Sequence, residues 1–211
     1  LCFCLAEADT FSESAVLTAH HKEPEENKEE FIRIFKENIR RDGADKLLDY
    51  LLNVSDFFTA PASGRRHAAF EGGLCFHSLN VYKRFKRIIE SEYGENYQDV
   101  VSDESIAIIA LLHDLCKVNT YTVDFRNQKV DGQWIQVPYF AYNNNLPYGH
   151  GEKSVYIISG FMRLTREEAM AINWHMGSYD PRNQGTSDVS DAFNMFPLCV
   201  LFHSADLQTT Y

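Results

Sequence analysis

The chain has 211 residues, 45% of them hydrophobic, and a formal net charge of −10. That length suits one domain with one core, and the apolar share excludes wholesale disorder. The acidic balance excludes a protein held on duplex DNA by bulk electrostatics, which needs a basic surface; a nucleotide or short oligonucleotide entering a pocket stays open.

Residues 1–27 are mixed and end in the polar run His20-His21-Lys22-Glu23-Pro24-Glu25-Glu26-Asn27. This predicts an N-terminal extension or linker ahead of a single domain over residues 28–211. His20-His21 is expected to be solvated, and Cys2 and Cys4 to be an incidental pair. The five cysteines are odd in number and form no CxxC pair. Cys75 and Cys116 are expected as reduced thiols in apolar helices. Leu1–Ala6 is too short for a signal peptide and lacks a basic start. No stretch approaches the roughly 20 apolar residues of a membrane span. A cytoplasmic location is expected.

Apolar residues at helical spacing predict a helix over Lys28–Arg41, with Gly43 as its stop. A short helix follows over Ala44–Asn53, burying Leu47, Leu48, Leu51 and Leu52. Gly72 to about Tyr93 reads as a long helix with His77 in its early turns. Ser102-Asp103-Glu104 caps the next one, which runs to about Lys117 and is apolar nearly all round, hence central. Residues 121–125 and 133–137 alternate like strands about Asp131-Gly132, a strong hairpin-turn signal. A helix from near Gly149 to about Arg163 carries His150. Thr165-x-x-Glu168 forms a capping box for the helix that bears His175. After the loop Gly177–Thr186, a last helix from Pro197 carries His203 and Asp206.

The chemistry concentrates at His113-Asp114. An imidazole and a carboxylate at the end of an apolar helix cost several kcal/mol to bury unless paired or bound to metal. His77, His150, His175 and Asp206 are further potential ligands. Histidine and carboxylate without cysteine is the ligand set of a catalytic, partly open site for a hard or borderline divalent metal.

The order His77, His113-Asp114, Asp206 resembles the HD superfamily of metal-dependent phosphohydrolases. Gly72-Gly73-Leu74-Cys75-Phe76-His77 looks like its first-histidine helix, Leu112-His113-Asp114-Leu115-Cys116-Lys117 like its signature, and Leu201-Phe202-His203-Ser204-Ala205-Asp206 like its closing helix. The HD domain of bacterial 3′→5′ exoribonucleases also carries a histidine before the glycine pair, here His67. The resemblance covers roughly residues 44–211. It implies an all-α, HD-domain helical bundle with a small β-hairpin insertion at about residues 120–140.

It also implies that His77, His113, Asp114 and Asp206 hold one divalent metal, with His150 and His175 holding a second across a bridging Asp114. Manganese, magnesium, nickel, cobalt and iron all suit such ligands. Asp114 and Lys117 are the expected catalytic groups. Lys117, Lys153 and His67 are the expected contacts to substrate, and His203, one turn before Asp206, would orient a ligand or water. The implied activity is hydrolysis of a nucleotide or short-oligonucleotide phosphoester by a metal-activated water. The alternatives are a di-iron oxygenase and a non-catalytic binding module. The partner expected is a small phosphorylated substrate, with no duplex DNA and no membrane; a homodimer stays open. Within the hairpin, Arg126, Lys129, Trp134, Tyr139 and Tyr142 are of types that bind phosphate and stack on bases, and Trp134 is expected to pack the hairpin on the domain. Arg163, Arg166 and Arg182 are expected on solvated faces.

Overall fold

The computed structural model describes residues 24–144 and 146–211. The expectations for Cys2, Cys4, His20, His21 and the rest of residues 1–23 lie outside the described residues. Helix α1 (Pro24–Asn38) buries Phe31, Ile34 and Phe35, and begins four residues before the expected start at Lys28. Helix α2 (Ala44–Asn53) has the expected bounds. Its entry needs glycine twice over: Gly43 has φ 89°, and a Cβ there would meet the Phe161 carbonyl oxygen at 1.9 Å. Helix α3 (Gly73–Tyr93) buries His77 among Leu74, Val81, Phe85 and Ile89.

Helix α4 (Asp103–Leu112) starts on Ser102, whose hydroxyl accepts the Ser105 amide. Every residue from Ile106 to Leu112 is buried, so this helix is the axis of the core. It packs on α1, on α3 and on α6 (Arg166–Asn173), while α8 (Pro197–Thr210) lies along α3. Phe85 and Phe202 meet edge to face at 5.1 Å across that last contact. The expected run of α4 to Lys117 is corrected. The α-helix stops at Leu112, Asp114 takes φ −102° and ψ 19°, and Leu115–Lys117 is a single 3₁₀ turn. The break turns Asp114 out of the helical screw.

The all-α class is also corrected. The chain is mostly helical, with eight α-helices among the described residues, but it carries a two-stranded antiparallel sheet that fills nearly the expected span with strands longer than the short segments 121–125 and 133–137. Strands β1 (Tyr121–Val130) and β2 (Gln133–Tyr142) are ten residues each, paired from Tyr121 against Tyr142 to Val130 against Gln133. Alternation of apolar residues identifies only the first half of each strand. The rest, such as Arg126–Lys129, pairs through backbone hydrogen bonds that need no apolar face. Asp131 (φ 48°) and Gly132 (φ 84°) make the type I′ turn that matches strand twist. Most of the hairpin is exposed, and Trp134, 71% exposed, does not pack it on the domain. No helix among the described residues is long and apolar enough to cross a membrane.

After the hairpin come α5 (His150–Ser159) and then α6, whose capping box forms as expected: the Thr165 hydroxyl accepts the Glu168 amide and Glu168 accepts the Thr165 amide. Helix α7 (Asp188–Met195) lies in a stretch to which the sequence assigns no element, its eight residues being too few for a clear period. Glu168 also ties the layers together. Its carboxylate, 1% exposed, accepts two bonds from Arg41 (2.6 and 2.9 Å) and one from the Ser105 hydroxyl (2.7 Å). Burial opposes its charge, but the Arg41 guanidinium outweighs that and holds its pKa below the ordinary 4.5.

Glu168→Ala should lower unfolding stability by about 2 kcal/mol at pH 7, because it removes both charged hydrogen bonds to Arg41, which keeps only Glu104 at 3.2 Å and the Arg163 carbonyl at 2.9 Å. A carboxylate with a depressed folded pKa contributes above its unfolded pKa and loses that contribution as pH falls through the folded value. The gap between wild type and variant in urea melts should therefore close as the pH drops below about 4.5. A gap constant down to pH 3 would contradict this role.

Candidate metal centre

Six side chains from separate parts of the chain converge. His77 comes from α3, His113 caps α4, Asp114 follows it, His150 opens α5, His175 follows α6, and Asp206 lies in α8. His77, His113, Asp114, His175 and Asp206 are buried, while the His150 side chain is 31% exposed. Long elements bring these groups together, and local backbone decides how each is aimed. His113 and His175 each direct Nδ1 at a carbonyl three residues earlier, Ala110 at 2.9 Å and Ile172 at 2.7 Å. Each ring donates Nδ1–H there and turns Nε2 to the centre.

Asp114 divides the cluster. Its Oδ2 lies 3.4 Å from His113 Nε2 and 3.5 Å from His77 Nε2. On the same side, Asp206 Oδ1 stands 3.1 Å from His77 Nε2 and 3.7 Å from His113 Nε2. The other oxygen, Oδ1, lies 2.9 Å from His150 Nε2 and 3.6 Å from His175 Nε2. His77 Nε2 and His113 Nε2 face each other at 3.3 Å. Two nitrogens sharing an ion at about 2.1 Å are roughly 3.0–3.4 Å apart at octahedral or tetrahedral angles. Buried lone pairs facing one another need a cation or a proton between them. These groups could hold a metal ion.

Electrostatics describe the cluster when protons fill that need. Burial disfavours charge on His113, but the carboxylates of Asp114 and Asp206 outweigh it and push the imidazole up to about 10. Burial works against both carboxylates too. Lys117 and His113 nonetheless hold Asp114 well below the usual range, and His113 and His77 do so for Asp206. Burial wins at His77 and His150, whose values fall.

A cavity of about 650 Å³ opens onto the cluster and is lined by His67, His77, Asp114, Lys117, His175 and Asp206, with Arg66 and Tyr179 further out. Lys117 places Nζ 2.6 Å from Asp114 Oδ2. His67 packs on His77 with ring centroids 4.9 Å apart and the rings tilted by 47°, and neither of its buried nitrogens has a hydrogen-bond partner in the protein. Burial, helped by the charges of His77 and Lys117, pushes it down to about 4. His203 also borders the cavity, and its Nδ1 donates to the His175 carbonyl at 2.6 Å, bracing the backbone behind a potential ligand. Lys153 is the exception among the expected residues. It lies one turn beyond His150, buried, with no hydrogen-bond partner for its ammonium, and it is not among the cavity's lining residues.

The glycines flanking His150 are steric necessities. A Cβ on Gly149 would strike the Arg182 guanidinium at 2.4 Å, and one on Gly151 would strike the Ile172 and Asn173 carbonyls at 2.4 and 2.3 Å. Arg182, expected on a solvated face, is instead clamped. It pairs with buried Asp180 at 2.6 Å, donates to Asn173, and lies 4.6 Å over the Trp174 ring. Isolated between turn residues, it carries no sequence signal of this. Cys116 was also missed: its Sγ lies 3.4 and 3.5 Å from the two nitrogens of His150. Near-equal distances put the sulfur over the imidazole and not on a lone pair. Burial pushes its thiol up to about 12.

In comparisons with known proteins, no family model, no curated protein and no solved structure matches this chain.

Uptake of Mn²⁺ or Zn²⁺ should displace the proton held by His113, releasing at least one proton per chain in weakly buffered solution at pH 7. The same titration should raise the melting temperature by several degrees through mass action. The double variant His113→Ala/Asp114→Ala should do neither. Wild-type protein that binds no metal by elemental mass spectrometry would remove the centre.

Proposed function

We propose that this protein is a metal-dependent phosphohydrolase or phosphodiesterase acting on a nucleotide or short-oligonucleotide phosphoester. The observation that carries this reading is Asp114, whose two oxygens address two groups of imidazoles at the floor of an open cavity, with the Lys117 ammonium beside it. The likeness of the His77, His113-Asp114-x-x-Lys117 and Asp206 motifs to the HD superfamily supports the same reading.

The donor set is all nitrogen and oxygen, apart from the Cys116 sulfur over His150, which suits hard or borderline divalent ions such as manganese, magnesium, nickel, cobalt or iron. His77, His113, Asp114 and Asp206 would hold one ion; Asp114, His150 and His175 would hold a second. Such ions supply Lewis-acid polarisation of a phosphoryl oxygen and a lowered pKa for water.

The remaining work falls to the chain's own groups. Lys117 keeps a positive charge where a phosphoryl oxygen would sit, because Asp114 outweighs the burial that would discharge it. His67, depressed to about 4, is neutral at pH 7 and offers the substrate a hydrogen bond without adding charge. The Ala110 and Ile172 carbonyls, with His203 behind His175, hold the imidazoles in one tautomer and orientation.

With Mn²⁺ present, the wild type should hydrolyse bis(p-nitrophenyl) phosphate, and Asp114→Asn should lose at least about 10³-fold in rate. Lys117→Ala should lower kcat about 10²-fold while leaving metal content unchanged. Wild-type turnover by Asp114→Asn would sink the proposal. Iron-dependent oxygen consumption without phosphoester hydrolysis would replace it with an oxygenase.

A further inference from the structure

A second cavity, of about 600 Å³, lies between the loop at residues 64–69 and the flank of the hairpin. Arg65, Val123, Arg126, Tyr139 and Phe140 are among its lining residues, and no carboxylate is. That is a local reversal in a chain with 30 acidic and 20 basic side chains. The loop separates this groove from the cavity over the metal centre. Gly64 and Arg65 face the groove, and the next two residues, Arg66 and His67, face the centre. At the hairpin root the loop is pressed close: a Cβ on Gly64 would lie 3.0 Å from the Phe140 carbonyl oxygen and 3.7 Å from the Tyr121 ring. Tyr121 in turn is close enough to Lys117 and Asp114 to feel their charges.

We propose that this groove is a binding subsite for the nucleotide adjoining the scissile phosphoester of a single-stranded oligonucleotide. The inference rests on the phosphoester-hydrolase reading and deepens it. Two guanidiniums offer the forked N–H donors that grip phosphate oxygens. The Tyr139 ring, on the same face of the hairpin as Arg126, offers the flat surface on which a base stacks. Arg126 already lies 5.6 Å over the Tyr139 ring, which orders both side chains before a ligand arrives. The nearest strand carboxylate, Asp124, is occupied by the Phe125 amide at 2.7 Å and the Tyr139 hydroxyl at 3.3 Å. A mononucleotide at the centre would leave this groove unused, whereas a strand running over residues 64–67 would fill both cavities.

The test uses fluorescein-labelled single-stranded oligothymidylate, with binding read by anisotropy in chelator and again with Mn²⁺. Arg65 and Arg126 are exposed, so Arg65→Ala/Arg126→Ala should fold as the wild type does. It should bind about tenfold more weakly, and its log-affinity against log-salt slope should fall by about 1.4, the loss of two phosphate contacts on a single strand. Tyr139→Ala should weaken binding with no change in that slope. Turnover of bis(p-nitrophenyl) phosphate, which is too small to span both cavities, should match wild type in both variants. Unchanged oligothymidylate binding in the double variant would overturn the subsite, as would a wild type that hydrolyses the small ester but does not bind the strand. Arginine-dependent binding without hydrolysis of any phosphoester would leave the subsite standing and remove the hydrolase reading.

Discussion

A single buried carboxylate organises this molecule. Asp114 lies 2% exposed at the broken end of the central helix, where an unpaired charge would cost several kcal/mol. The surrounding elements supply what it lacks: an ammonium one turn on, imidazoles from α3, α5 and the end of α6, and the end of α4 itself. An apolar core could hold these helices together without them. The charge at its centre adds a demand for one register, because a slip of a single residue in any element would leave a charge or a lone pair facing hydrocarbon.

The break after Leu112 makes this arrangement possible. Had α4 continued, Asp114 would follow the helical screw about 100° from His113. Leaving the helix frees the carboxylate to face His77 with one oxygen and His150 with the other. Gly151, next to His150, serves the same end by letting α5 approach α6 until backbone touches backbone. Rigid elements set the distances, and the non-helical residues at their ends set the directions.

Much of this is legible in the sequence because it depends on local chemistry. The bounds of α2, the start of α3 at Gly72-Gly73, the Ser102 cap and the Thr165–Glu168 box follow from spacing and capping groups, and the structure contains them. All six expected ligands meet. What was not legible depends on partners distant in the chain. Arg182 is clamped by Asp180 and Trp174, Cys116 sits over a histidine 34 residues on, and Lys153 is buried away from the cavity. The full hairpin was hidden for another reason: Arg126–Lys129 is polar on both faces and Pro138–Tyr142 is apolar or aromatic on both, so no alternation marks either segment. Trp134 was misplaced because a large aromatic side chain ordinarily seeks burial, and here the strand carries it beyond the body of the protein.

The contact at Gly151 reaches further than the space it saves. The Ile172 carbonyl that it abuts is the acceptor that aims His175, and Gly151 itself follows His150 directly. The two imidazoles that face one oxygen of Asp114 therefore share a mechanical joint with no slack. Displacement of either helix would be felt at both rings together, so this half of the cluster should tighten or loosen as a single cooperative unit.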